Sequence, residues 1–280
     1  MIYLLSIYYT SIIYFILKMY SILEPCPLKQ YGEYFIHSLV IDNIQYLKVL
    51  KLNFSSTKDN NCTFEDVAVC PISKKISSLG WSKLGSETEQ NYMGTLLVGH
   101  VTGTISIWSI VSLIETSDGN TKDTGLLKEF DGVHTSRVTQ IKINNKHNII
   151  ATSSNKLVIL QAQEDGNNGY DLNIALNCEN DNDKQEISSV QWNDKVPYIL
   201  SVCSKSGFLY IWDMKKSKIH LIIKDQLMQN PEENLHTVSV WASDGVQIII
   251  GYDNEEYSFL TQYHMTQITA PIAEYRGGHS

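Results

Sequence analysis

Histidines, cysteines and carboxylates are the groups here that could hold a metal, attack an electrophile or move protons. Their spacing does not favour any of these. The eight histidines, among them His100, His134, His147, His220, His236 and His264, are scattered singly, and none stands from another at a metal-ligand spacing. The five cysteines, Cys26, Cys62, Cys70, Cys178 and Cys203, are odd in number and irregularly placed, without a C-x-x-C pair. Reduced thiols in a cytosolic protein are the plainer reading. There is no G-x-S-x-G elbow, phosphate-binding glycine loop or H-E-x-x-H pair. The acidic run from Glu179 to Glu186 reads as a solvated loop rather than a metal cage. The sequence therefore predicts no catalytic, cofactor-binding or metal-binding residues.

What the polar residues could do is join strands. A histidine, a hydroxyl, an aspartate and a tryptophan linked in one buried hydrogen-bonded chain tie together the strands of a WD repeat, because buried polar groups must find partners. His134 fits the first role, with Thr152 or Ser153 for the second, but its strand ends in Leu160 and its turn carries Ser154-Asn155. Trp212-Asp213 fits the end of such a repeat, yet no histidine precedes it and its turn is Lys205-Ser206-Gly207. Gly99-His100 lies before a turn and reads as a core or edge position. Trp108, His134, Trp192, Trp212, Asp213 and Trp241 are taken as structural WD-repeat positions, held within diverged repeats.

The elements that would carry them recur. Trp108, Leu160, Trp212 and His264 stand 52 residues apart and each closes an apolar strand, a self-similarity of the period expected for a β-propeller. Each is preceded by an inner strand ending in a bulky residue (Trp81, Ile143, Trp192, Trp241), a turn, and a second apolar strand. The expected fold is an all-β WD-repeat propeller over residues 23 to 280, with about five blades of an expected seven. Blade one is read as partial, from residue 37 to 54 after a turn-rich joint at 23 to 33. Blade two covers 76 to 110 with a hairpin at Thr102-Gly103, a firm signal between alternating strands, and residues 111 to 131 read as linker. Blades three and four begin at His134 and Ile187, and blade five near His236. The final PIAEYRGGHS reads as the start of a sixth.

A net charge of −8 and a pI near 5.5 give little attraction for a phosphate backbone, so nucleic acid is not expected as a ligand. Residues 1 to 22 form an apolar leader without a basic residue before Lys18 or a small-residue cleavage site. It is nearly long enough to cross a bilayer. A membrane anchor, a non-native leader and a buried first element all remain open, and the sequons at Asn53 and Asn61 match chance expectation in so asparagine-rich a chain.

One stretch is more specific than a generic repeat. ISSVQWNDKVPYILSVCSKSGFLYIWDMKKSKIHLIIKD, from Ile187 to Asp225, closely resembles a blade of the larger outer-cage subunit of the COPII vesicle coat. The resemblance rests on Ile187, Ser188, Trp192, Asn193, Val196, Ile199, Leu200, Ser201, Gly207, Ile211, Trp212, Asp213 and Lys215-Lys216. GTLLVGHVTGTISIWSIVSLI and HTSRVTQIKINNKHNIIATS resemble the two preceding blades in order. The resemblance implies a non-enzymatic propeller at cage vertices. Its expected partners are the smaller WD-repeat outer-coat subunit and neighbouring propellers, and its expected place is cytoplasmic, peripheral at endoplasmic reticulum exit sites, with membrane association indirect. The inserted blade that binds the smaller partner, the α-solenoid and the proline-rich segment of that family have no counterpart in this sequence.

Overall fold

A computed structural model describes residues 22–54, 62–87, 92–116, 121–164, 170–178, 185–224, 236–253 and 258–276. These fold into five four-stranded antiparallel sheets, each a meander in chain order. Two compact units divide the chain after Phe130.

Unit one holds two blades. Blade one is β1 (Ile22–Pro25), β2 (Tyr34–Ile41), β3 (Ile44–Phe54) and β4 (Cys62–Ile72). Asp42 and Asn43 both take left-handed backbone (φ 49 and 65), so β2 turns into β3 through the two-residue hairpin that matches strand twist. Blade two is β5 (Ile76–Ser82), β6 (Thr95–His100), β7 (Ile105–Ser109) and β8 (Leu126–Phe130), with helix α1 (Ile110–Thr116) between β7 and β8. The two blades share one core, in which Ile36, Leu47, Val49 and Cys70 meet Trp81, Leu96 and Trp108, and Ile110, Val111 and Leu113 of α1 join it.

Unit two stacks three blades. Blade three is β9 (Gln140–Asn144), β10 (Ile149–Ser153), β11 (Leu157–Glu164) and β12 (Tyr170–Cys178), and blade four is β13 (Ile187–Trp192), β14 (Ile199–Ser204), β15 (Phe208–Asp213) and β16 (Lys218–Lys224). Blade five is β17 (His236–Trp241), β18 (Gln247–Asp253), β19 (Ser258–His264) and β20 (Ala273–Arg276). Trp192, Leu200 and Trp212 pack with Ala151, Leu157 and Ile159 between blades three and four, and Trp241, Ile248 and Tyr252 pack with Cys203, Leu209 and Ile211 between four and five.

The strand register defines the repeat more closely than residue type does. Trp81 pairs Leu96 and Leu96 pairs Trp108; Ile143, Ile150 and Leu160 align likewise, as do Trp192, Leu200 and Trp212. In blade five the row is Trp241, Ile248 and Tyr263. The slot expected at His264 therefore belongs to Tyr263, which is buried, while His264 is half-buried. A β-bulge falls between third and fourth strands just before Trp108, Leu160 and Trp212. The same bulge precedes Leu50 in blade one, which marks Leu50 as that blade's slot residue.

Several other expectations are corrected. Blade one is a full four-stranded sheet, since Ile22–Pro25 of the supposed leader and joint pairs with Phe35 to Ser38. The supposed linker 111 to 131 contains most of α1 and all of β8, which were hidden because a seven-residue helix and a half-buried five-residue strand leave little periodicity. Ala273–Arg276 pairs with β19 as the outer strand of blade five rather than opening a sixth blade. Residues 1–21 of the leader, the loop 55–61 and most of the acidic run lie outside the described residues.

Candidate functional site

The side chains with defined chemistry lie at strand ends and at the joints between neighbouring blades. In blade two, Trp108 Nε1 donates to Ser106 Oγ at 2.8 Å, and Ser106 Oγ lies 2.7 Å from His100 Nε2. His100 is fully buried, and burial pushes its pKa down and keeps the ring neutral, so Ser106 can accept from the indole and give its own proton to the imidazole. This His–Ser–Trp chain was missed in the sequence because Ser106 stands on the third strand, two residues before its tryptophan.

In blade three, His134 Nε2 lies 2.9 Å from Thr152 Oγ1, which donates to the carbonyl of Val158. Burial, with Lys156 nearby, lowers the His134 pKa to about 4. Ser136 and Ser154, and Thr139 and Ser153, add hydroxyl pairs at 2.6 and 2.8 Å. Leu160 occupies the slot, so the chain from His134 ends without a tryptophan.

Asp213 acts on its own turn. Its Oδ1 accepts from the backbone of Lys215 and Lys216, and its Oδ2 lies 3.6 Å from Lys216 Nζ. Trp212 is buried against the face of blade three.

Unit two also carries a repeated device between blades. Asn144 and Asn193 each follow the last bulky residue of an inner strand. Asn144 donates to the carbonyl of Pro197 at 2.6 Å and Asn193 to that of Gly245 at 2.8 Å, each in the next blade, while their Oδ1 atoms cap their own turns. Gln140 accepts from Val190 N and donates to the carbonyl of Ser188; Ser189 Oγ accepts from Ser239 N. Trp192 Nε1 donates to the carbonyl of Lys142. Trp241 does not repeat this. The matching acceptor, the carbonyl of Gln191, takes Ser201 Oγ instead, and Trp241 Nε1 lies buried without a hydrogen-bond partner among the described residues.

The thiols are equally quiet. All five cysteines are free, and burial pushes Cys178 up to about 12 and Cys203 up to about 11, far from a reactive thiolate. Among the described residues no group of three or more His, Cys, Asp or Glu is placed to hold a metal ion, and no helix is long and apolar enough to cross a membrane.

No protein-family profile matches the chain. It is 23% identical over 211 residues to the protein transport protein SEC31 of Dictyostelium discoideum, across 73% of this chain. It is 24% identical over 188 residues to Sec31A of Danio rerio, across 62% of this chain. The blades are similar in sequence to the corresponding stretch of Sec31 proteins. The stretch matched in these Sec31 proteins is 15% and 14% of their lengths. A solved structure described as the COPII outer coat vertex on membranes superposes with TM-score 0.62 at 16% identity, over 88% of this chain and 61% of that one. The WD40 domain of Toxoplasma gondii coronin superposes with TM-score 0.60 at 14% identity, over 88% of this chain and 57% of that one. Both likenesses establish the WD-repeat propeller fold.

Proposed function

We propose that this chain is a structural part of a COPII outer coat, acting in transport from endoplasmic reticulum to Golgi through protein–protein contacts of its WD-repeat blades. The observation that carries this reading is the shared name of its eight curated relatives, all SEC31 proteins. The likeness to an outer coat vertex supports it. So does the chemistry: the buried His100 and His134 and the turn-capping Asp213 serve to hold blades together. In this reading Trp108, His134, Trp192, Trp212, Asp213 and Trp241 are structural, and residues 23 to 280 act as one propeller region. The partners are other coat subunits, including the smaller WD-repeat subunit and neighbouring propellers at vertices. The chain resides in the cytoplasm at exit sites, joined to the membrane only through the coat.

Single contacts in such an assembly are weak, and multivalency supplies the rest. A biotin ligase fused to the full chain, which captures weak neighbours, should label coat subunits in puncta at exit sites. Diffuse labelling without coat subunits would favour a general WD-repeat adaptor, the reading that the coronin likeness keeps in view.

A further inference from the structure

Three lysines of unit two are gathered on one short turn. The turn runs from Asn193 to Tyr198, between β13 and β14. Lys146, from the turn between β9 and β10, donates Nζ to the carbonyl of Asp194 at 2.9 Å. Lys195 belongs to the turn itself and is exposed. Lys215, from the turn between β15 and β16, holds its ammonium 3.9 Å from the centre of the Tyr198 ring. The turns are fastened to one another: Asn144 Nδ2 donates to the carbonyl of Pro197, and Met214 N to that of Tyr198. Lys216 and Lys218 are exposed close by in sequence.

The carboxylates nearby are mostly occupied. Asp213 holds two backbone amides and Lys216. Asp244 holds Val246 N, Gln247 N and the Gln247 side chain, and these bonds lower its pKa. Asp194, the carboxylate of the turn itself, is exposed. The result is a local positive surface on a chain whose net charge is −8.

We propose that this lysine cluster docks a short acidic peptide segment of a partner protein. The choice among anions follows from range. An extended polyanion, such as a lipid surface or a nucleic acid, reaches well beyond a Debye length of about 8 to 10 Å and meets the repulsion of the whole acidic chain. A few carboxylates fit within that length and feel chiefly the local lysines. Lys146 and Lys215 are already held in place, which reduces the ordering cost of binding. The inference deepens the coat reading and rests on it only for the premise that the blades work by protein contact.

The test is fluorescence anisotropy of the 280-residue chain with a labelled peptide carrying a run of glutamates. The same peptide with glutamines, phosphatidylserine vesicles and single-stranded DNA serve as comparisons. The glutamate peptide should bind, weaken as salt rises, and lose roughly tenfold or more in affinity when Lys146, Lys195 and Lys215 are all changed to Ala. Asp194→Asn, which removes the exposed opposing charge, should tighten binding about two- to threefold, and Lys215→Arg should retain it. Thermal melts identify any variant that has lost its fold. Equal binding of both peptides, an unchanged affinity in a folded triple variant, or tighter binding to vesicles or DNA would each overturn the proposal. Because the assay contains no coat subunit, its failure is separable from failure of the coat reading.

Discussion

Asn193 and Gly245 meet across the joint between blades four and five, with the amide Nδ2 donating to the glycine carbonyl at 2.8 Å. The same side chain accepts from Lys195 N and Val196 N, so one amide sets both its own turn and the place of the next blade. Gly245 is left-handed (φ 72), and a Cβ there would lie 2.9 Å from that Oδ1 and 2.6 Å from Lys195 Cβ. The close approach and the backbone both require glycine.

Asn193→Ala should cost about 2 to 3 kcal/mol in urea unfolding, since a buried carbonyl and two turn amides lose their partner together. Gly245→Ala should be destabilising at the same joint. Because the residues touch, the double variant should cost measurably less than the sum of the singles, and simple additivity would argue that the joint is not shared.

Ser106→Ala should destabilise by about 2 kcal/mol or more, because it strands the buried Trp108 N–H and the His100 ring at once. Once Ser106 is gone, adding His100→Gln should cost little further. Equal costs of the second change in both backgrounds would break the proposed chain.

Stability should depend on pH through His134. Its pKa falls from 6.5 to about 4 on folding, chiefly by burial. The unfolded chain therefore binds more protons between these values, and stability rises with pH across that window. The contribution is full above about 6.5, is lost as pH falls toward 4, and amounts to roughly 3 kcal/mol at most. Urea midpoints at several pH values should show this slope, and His134→Asn should reduce it, leaving the smaller part that His100 and His37, also lowered by burial, contribute.

Trp192→Phe should cost about 1 kcal/mol more than Trp241→Phe, because only Trp192 gives up an indole hydrogen bond between blades. Equal losses would mean that the Lys142 carbonyl finds another donor.

Trp212→Ala should cost about 3 to 5 kcal/mol, as for a truncated core aromatic, against about 1 to 2 kcal/mol for His134→Ala near neutral pH. The order matters more than the values. Loss of a binding activity in His134→Ala with an unchanged melt would contradict the structural role proposed for it.

The inner strands of blades two to five were legible because their apolar runs are flanked by turns, and blade four was readable throughout from Ile187 to Lys224, whereas β1 of blade one was hidden in a turn-rich stretch. The outer strands of blades two and five were not legible. The burial of β8 alternates weakly and β20 has four mostly exposed residues, so neither separates from loop by pattern alone. The slot at His264 failed because a fixed spacing was extended one blade too far, and the register moves it to Tyr263. His100 proved to be the core position expected, but its hydrogen-bonded chain through Ser106 was not read, because Ser106 lies across a hairpin rather than on the expected strand. The asparagine joints were half visible: Asn193 stood out in the resemblance, but nothing in one sequence shows that its amide reaches Gly245.

The bulges before Leu50, Trp108, Leu160 and Trp212 have a mechanical consequence. A bulge interrupts the ladder between the third and fourth strands, so load pulled along an outer strand is not passed evenly into the three strands behind it. Under tension, these blades should peel from the rim, shedding outer strands while the rows of Trp81, Leu96, Trp108 and their counterparts stay closed. The molecule would then yield in small steps at its periphery before its joints part.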